Sequence, residues 1–179
     1  MSEQILPRLR REQEEIKPVI ENVICKLLDG DAAKRANDFV AYLRANGLPP
    51  KWASLNGWMA RNKGDLCGIS VGNSDVKTNS WRVTLYLNHL NTYGELVASE
   101  GLQGIIWDGI FHCTVNQQNG CDPSKSCAGG DNRTILGKEI KNICRWKRGR
   151  KTFINNPDET TLKGIKLLLN WEINARKHA

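Results

Sequence analysis

The sequence lacks the long apolar segments that membrane and secreted proteins carry. None of its apolar runs approaches the ~18 residues that span a bilayer, and residues 1–17 carry charges instead of the apolar stretch of a secretory signal. We therefore expect a cytoplasmic protein with reduced thiols and no membrane partner. Internal repeats and low-complexity segments are also missing, which argues against a repeat architecture.

The usual catalytic motifs are missing as well. The chain has no nucleophile elbow, no phosphate-binding loop, no paired-carboxylate motif and no Cys-x-x-Cys pair. Its three histidines, His89, His112 and His178, are isolated in the sequence, and isolated histidines are usually surface or core residues. The sequence therefore favours a binding domain over an enzyme.

What the sequence does contain is the composition of a folded domain. Of its 179 residues, 40% are apolar and 25% are charged, which supplies a core and argues against a disordered chain. A chain of this length corresponds to one domain, or to one domain with an appendage.

Helical patterns occupy the first quarter of the chain. Pro18 is expected in the first turn of an initial helix or at a kink there. Gly30 should end this helix, and Asp31 should cap the next one. The initial helix is predicted from one apolar stripe at helical spacing, formed by Ile16, Val19, Ile20, Val23, Ile24, Leu27 and Leu28.

The second helix should run to about Asn46, where Gly47 and the pair Pro49-Pro50 stop it. We place a boundary here, between an N-terminal helical segment, 1–47, and an α+β domain, 48–179. The residues that this helix should bury are Ala36, Phe39, Val40 and Leu43.

The remainder of the pattern predicts an α+β fold with a small antiparallel sheet. Strands are expected over 52–60, 66–71 and 80–87, followed by a helix over 92–110. Residues 111–144 form a predicted cysteine-rich loop. Asn156 should then cap a C-terminal helix that buries Leu162, Ile165, Leu168, Leu169 and Ile173.

The main chemical signal is a cluster of cysteines. Four of the six, Cys113, Cys121, Cys127 and Cys144, fall within 32 consecutive residues. Four thiolates around one ion form a closed, tetrahedral structural zinc site, and such a site would hold the long irregular segment in place. We therefore predict a structural zinc ion on these cysteines, with His112 as an alternative ligand for one sulfur.

Other uses of these cysteines stay open, because the spacing has no tight pair of ligands two to four residues apart. The four thiols could be unrelated buried residues, or they could serve a disulfide or a small thiol-dependent redox enzyme. Cys144 lies between Lys141 and Arg145, which would lower its pKa. Cys25 and Cys67 are predicted to be core residues.

The positive charge is concentrated at the C-terminal end. Residues 131–179 hold 12 Lys and Arg against 5 Asp and Glu, a net charge of +7 that equals that of the whole chain. The densest basic residues are Lys147, Arg148, Arg150 and Lys151. Such a run attracts phosphates, which predicts nucleic-acid binding as an alternative function; it is also common in a solvated turn.

Several short segments together resemble a family of small uncharacterised bacterial proteins with a Trp- and Gly-rich antiparallel sheet. In those relatives, cysteines bracket a short glycine-containing loop ahead of a segment similar to Ile135–Ile140. The matching parts are residues 56–59, 63–69 and 80–83, then Cys121, Cys127, residues 133–140, Cys144, Phe153 and residues 156–158. The resemblance spans residues 37–175 and implies no known reaction, but it implies that the four late cysteines form one unit. This chain departs from it in a longer insert between Cys113 and Cys121 and in the basic run.

Overall fold

A computed structural model describes residues 10–72, 79–113, 130–144 and 151–178. Within these residues, six α-helices accompany a five-stranded antiparallel sheet and a separate two-stranded sheet. The predicted α+β class is therefore confirmed. In the described part of the chain, no helix has both the length and the apolar character required to cross a membrane.

The first predicted helix is divided in two. Helix α1 spans Arg10–Ile16 and α2 spans Ile20–Leu27. Lys17, between them, has a positive φ of 42°, and Pro18 cannot donate the amide hydrogen bond of a helix interior. The apolar stripe is interrupted at the same point as the helix. Ile16 and Val19, on either side of this break, are more than half exposed.

Helix α3, Gly30–Ala45, agrees with its predicted span and buries all four of its predicted core residues. Gly30 has a positive φ of 48°, but the prediction that it ends the first helix was wrong, because α2 ends at Leu27 and Gly30 is the first residue of α3. The cap prediction was wrong: Asp29 occupies the N-cap position, and Asp31 lies in the first turn. The Oδ1 atom of Asp29 instead accepts a hydrogen bond of 2.5 Å from the side chain of Asn79.

The five-stranded sheet has the order β1-β2-β3-β4-β7. Its strands are β1 Lys51–Ser54, β2 Gly57–Arg61, β3 Asp65–Val71, β4 Trp81–Tyr86 and β7 Lys151–Asn155. The strand predicted over 52–60 is instead a hairpin, in which Ser54 pairs with Gly57. Asn56 turns the chain there with a φ of 49°, a left-handed conformation that asparagine tolerates better than most residues.

The helix predicted over 92–110 is also divided. A 3₁₀ turn, Leu90–Thr92, precedes α4, Gly94–Ser99, and α5, Gln103–Asp108. Gly101 separates the two helices with a φ of 66°. This conformation is accessible to glycine and ends the helical run.

Part of the segment predicted as a cysteine-rich loop is regular structure. Strand β5, Gly130–Ile135, pairs with β6, Lys138–Cys144, as an antiparallel hairpin. Leu136 and Gly137 form its turn with φ values of 49° and 77°. The apolar side of this hairpin places Ile140 and Ile143 in a small core with Ile110.

The last helix, α6, spans Glu159–Lys177. The predicted Asn156 cap was wrong, because the first-turn amide of Thr161 donates to Asp158 Oδ1 at 2.7 Å. Asn156 Oδ1 instead accepts a hydrogen bond of 2.8 Å from the backbone amide of Trp81. Leu162, Ile165, Leu168 and Leu169 are buried as predicted, whereas Ile173 is only partly buried.

The chain divides into two compact units. The first comprises Met1–Thr84 and Asn155–Leu162, and the second comprises Leu85–Ile154 and Lys163–Ala179. In the first unit, the buried rings of Phe39 and Trp81 lie 6.2 Å apart within the core. The second unit contains the β5–β6 hairpin and most of α6, and the candidate sites lie in it.

Candidate functional site

Two of the four clustered cysteines lie on neighbouring extended segments. His112 and Ile143 form an antiparallel β-bridge. On either side of it, the Cys113 amide donates to Asn142 O at 2.7 Å and the Cys144 amide donates to Phe111 O at 2.9 Å. The segment that ends at Cys113 therefore pairs with β6 at the position of Cys144.

This pairing places Cys113 and Cys144 on one face. Paired residues of antiparallel strands share a face and successive residues alternate, so both cysteines lie on the face opposite to His112 and Ile143. They are diagonal neighbours, for which the separation is roughly 7–8 Å between Cα atoms. Both residues are buried, and both are free thiols.

His112 is placed differently from the two cysteines. His112 is exposed, and its Nδ1 atom lies 3.0 Å from the backbone oxygen of Lys141. The predicted alternative ligand is therefore on the other face of the pairing.

The other two predicted ligands, Cys121 and Cys127, lie outside the described residues. Within the part of the chain that the structure describes, no group of three or more His, Cys, Asp or Glu side chains could hold a metal ion. The zinc site therefore stays a prediction, and two of its four predicted ligands lie among the described residues.

The remaining two cysteines differ from each other. Cys67 is buried in β3 as predicted, and burial raises the pKa of its thiol far above the ordinary value of 9.0. The prediction that Cys25 is a core residue was wrong, because it lies on an exposed position of α2.

Most of the predicted nucleic-acid-binding residues also lie outside the described residues: Lys147, Arg148 and Arg150. Lys151 is the first residue of β7, and its Nζ atom lies 5.1 Å from the centre of the Tyr86 ring. This is a cation–π contact within the second unit.

Sequence reasoning missed a buried polar cluster on α6. Glu172 has no exposed surface, and Arg176, one turn later, is 3% exposed. Arg176 Nε donates to Glu172 Oε1 at 2.8 Å, while its Nη2 donates to Tyr86 O at 2.9 Å. A signal was present in the sequence: Glu172 and Arg176 continue the i, i+3, i+4 spacing of the buried Leu168 and Leu169.

Glu172 accepts hydrogen bonds from four further groups. The backbone amides of Asn88 and His89 donate at 3.2 and 3.1 Å. The Tyr93 hydroxyl donates at 2.8 Å, and His89 Nδ1 lies 2.9 Å from Oε1. This arrangement joins α6 to the segment that follows β4.

The electrostatics of the cluster keep Glu172 ionised. Desolvation by burial raises the pKa of this carboxyl, but the hydrogen bonds from His89, Arg176 and Tyr93 outweigh it, so the net pKa is lowered. For Tyr93, burial and the adjacent Glu172 charge raise the pKa of the hydroxyl, which stays protonated. An ionised carboxylate only accepts hydrogen bonds, so the proton shared with His89 belongs to Nδ1.

Next to this cluster lies a cleft of about 360 Å³. The side chains of Tyr93, Leu96, Trp171 and Ala175 contribute its apolar surface. The polar residues of the lining are His89, Thr92, Asn174 and His178. The Tyr93 and Trp171 rings contact each other with their centres 6.1 Å apart.

No protein-family model matches the chain, and neither a curated protein nor a solved structure shows significant similarity to it. The resemblance to small bacterial proteins therefore stays a prediction, and the site geometry is the basis for the proposed function.

Proposed function

We propose that the protein is a ligand- or protein-binding domain in which one structural zinc ion, bound by Cys113, Cys121, Cys127 and Cys144, holds the cysteine-rich segment. The observation that carries this proposal is the position of Cys113 and Cys144 on one face of paired segments. A diagonal separation of roughly 7–8 Å can be spanned by one ion with Zn–S bonds of about 2.3 Å.

The chain connectivity supports the participation of Cys127. Residues 114–129 connect Cys113 to Gly130, and Gly130 is the direct partner of Cys144 in the β5–β6 hairpin. Both ends of the connecting segment are therefore anchored beside Cys144. Cys127 precedes Gly130 by three residues, a span of at most about 11 Å of chain.

The composition of the connecting segment explains why an ion would be needed there. Residues 114–129 contain a single large aliphatic side chain, Val115, among polar and small residues. Segments of this composition gain little free energy from burying apolar side chains. Zinc binding supplies folding free energy directly, and a closed four-thiolate site leaves no open position for catalysis.

His112 is omitted from the proposed ligand set because it lies on the opposite face from Cys113. Nucleic-acid binding and a thiol-dependent redox activity stay predictions from the sequence. Neither gains support from a contact among the described residues.

The test is the metal content of the purified protein. We expect about one equivalent of zinc in the wild type, measured by mass spectrometry after growth without added metal. The double variant Cys113→Ser/Cys144→Ser should retain less than about a tenth of an equivalent, since it loses half of the thiolates.

The matched control is Cys25→Ser, which removes an exposed thiol in the first unit and should keep the full zinc content. A wild-type protein with less than about a tenth of an equivalent would overturn the proposal. Equal zinc content in the wild type and the double variant would also overturn it, because the metal would then lie elsewhere.

A further inference from the structure

The cleft beside Glu172 combines features that distinguish ligand sites from ordinary surface. Its volume of about 360 Å³ falls at the small end of the range of roughly 300 to 1,000 Å³ that is common for small-molecule sites. The Leu96 side chain in it is 49% exposed, one of few large apolar side chains in the described residues with that much exposure. An exposed leucine beside Tyr93 and Trp171 forms a concave apolar surface that a ligand can cover.

The His89 ring is fixed in one orientation and one tautomer. Its Nδ1 atom is hydrogen-bonded to the buried carboxylate of Glu172, so Nδ1 carries the proton of that bond, and in the neutral form of an imidazole held this way Nε2 is the acceptor. The His89 side chain is 31% exposed, and its Nε2 has no partner among the described residues. The cleft therefore contains an acceptor whose position is set by the Glu172 cluster, and Thr92, Asn174 and His178 add further polar side chains to its lining.

The other polar groups of the cluster do not compete for this role. The Tyr93 hydroxyl already donates to Glu172, so Tyr93 offers the cleft its ring. Arg176 is occupied by Glu172 and the Tyr86 carbonyl, which keeps its charge buried in the network. A ligand in this cleft thus meets aromatic and aliphatic surface, the His89 imidazole, and the polar side chains of Thr92, Asn174 and His178.

We propose that this cleft binds a small aromatic molecule carrying a hydroxyl group, with its ring against Tyr93, Leu96 and Trp171 and its hydroxyl donating to His89 Nε2. The volume of about 360 Å³ accommodates a ligand of one or two rings. The inference rests on the ligand-binding part of the proposed function and is independent of the zinc ion.

Phenol and anisole provide the direct test, because they share a ring and differ in the hydroxyl hydrogen. We would titrate each into the full ¹⁵N-labelled chain and follow the indole N–H signal of Trp171 by NMR. Phenol should bind about 3- to 10-fold more tightly than anisole, the effect of one hydrogen bond. Benzoate, an anion that cannot donate to Nε2, should bind more weakly than phenol.

Two variants locate the binding. His89→Asn keeps an amide donor for Glu172 but removes Nε2, so the preference for phenol over anisole should disappear. Ala175→Leu fills the cleft without touching the network, so binding of both probes should be abolished. The control is His112→Asn, the same substitution at a histidine outside the cleft, which should leave both affinities unchanged.

Equal affinity of the wild type for phenol and anisole would overturn the proposal, as would unchanged binding in Ala175→Leu. Tighter binding of benzoate than of phenol would overturn the hydroxyl specificity. Zinc content measured on the same samples separates failure of the cleft proposal from failure of the zinc proposal. One equivalent of zinc without phenol binding rejects only the cleft proposal. Phenol binding without zinc rejects only the metal site.

Discussion

The Nδ1 atom of His89 lies 2.9 Å from Oε1 of Glu172, a carboxylate with no exposed surface, while the His89 side chain itself is 31% exposed. The imidazole thus connects a buried charge to a cleft. The same carboxylate also binds Arg176, Tyr93 and two backbone amides. Its complete set of donors compensates for the cost of removing its charge from water.

Removing this carboxylate should strongly destabilise the protein. Glu172→Ala leaves the 3% exposed Arg176 charge without its carboxylate partner, and breaking a buried pair in this way costs about 3–5 kcal/mol of unfolding free energy. Urea denaturation followed by circular dichroism measures the change. The exposed pair Glu21–Arg44 is the comparison, and Glu21→Ala should cost at most about 1 kcal/mol. If Glu172→Ala and Glu21→Ala lost the same unfolding free energy, burial of the Glu172–Arg176 pair would not explain its contribution to stability.

The stability should fall in acid partly through Glu172. Its pKa is lowered in the folded state from the ordinary value of 4.5, so its ionised form stabilises the fold above that value. This contribution disappears as the pH falls through the folded pKa, because the unfolded chain binds the proton first. We expect the unfolding free energy of Glu172→Gln to decline less between about pH 6 and about pH 3 than that of the wild type. Parallel pH profiles would contradict the prediction.

A buried glutamine should stabilise the start of the sheet. Gln13 in α1 has no exposed surface. Its Oε1 accepts a hydrogen bond of 2.8 Å from the Asn56 amide, and its Nε2 donates to Asn56 Oδ1 at 2.6 Å. Gln13→Ala leaves these groups without a protein partner, so we expect a loss of about 1–3 kcal/mol in unfolding free energy.

The control is Gln103→Ala. Gln103 is the first residue of α5; it takes no part in the hydrogen bonds between Gln13 and Asn56 and belongs to the other unit. Thermal and urea unfolding of both variants measure the difference. A Gln13 variant as stable as the wild type would show that α1 does not support the β1–β2 hairpin.

The basic run gives a separate prediction for nucleic-acid binding. If Lys147, Arg148, Arg150 and Lys151 bind phosphates, their joint replacement by Gln should weaken binding to a DNA duplex. The slope of log affinity against log salt should also become shallower by about 0.9 for each phosphate that the variant no longer neutralises. Fluorescence anisotropy at several salt concentrations measures both quantities.

The matched control for that experiment replaces four exposed lysines elsewhere, Lys34, Lys141, Lys163 and Lys177, and so makes the same change in net charge. Equal effects of the two sets would indicate a response to overall charge and would contradict a site in the basic run.

Short-range sequence patterns were sufficient to predict the helices and strands whose defining residues lie close together in the chain. The buried face of α3 follows from the spacing of Phe39, Val40 and Leu43, and its end follows from Gly47. Strand β4 follows in the same way, since the buried Trp81, Val83 and Leu85 alternate with Arg82 and Tyr86. The i, i+4 and i, i+2 periodicities arise from backbone geometry, so the sequence suffices.

Other local features were present but carried a competing interpretation. The turn at Asn56-Gly57 lies within an apolar stretch that also fits one long strand, and only the pairing of Ser54 with Gly57 distinguishes the hairpin. Gly101 divides the helix predicted over 92–110 for a similar reason, because an isolated glycine is tolerated in some helices and ends others.

The sequence by itself determined the α+β class, the main helices and strands, and the clustering of four cysteines. Only the tertiary structure decided that Cys113 and Cys144 share a face, that His112 lies on the other one, and that His89 meets a glutamate 83 residues away. The physical reason is that these relationships depend on strand register and on packing between elements distant in the chain. Periodicity determines which face of a helix or strand is apolar. Which other element that face packs against is set by the packing of the whole unit.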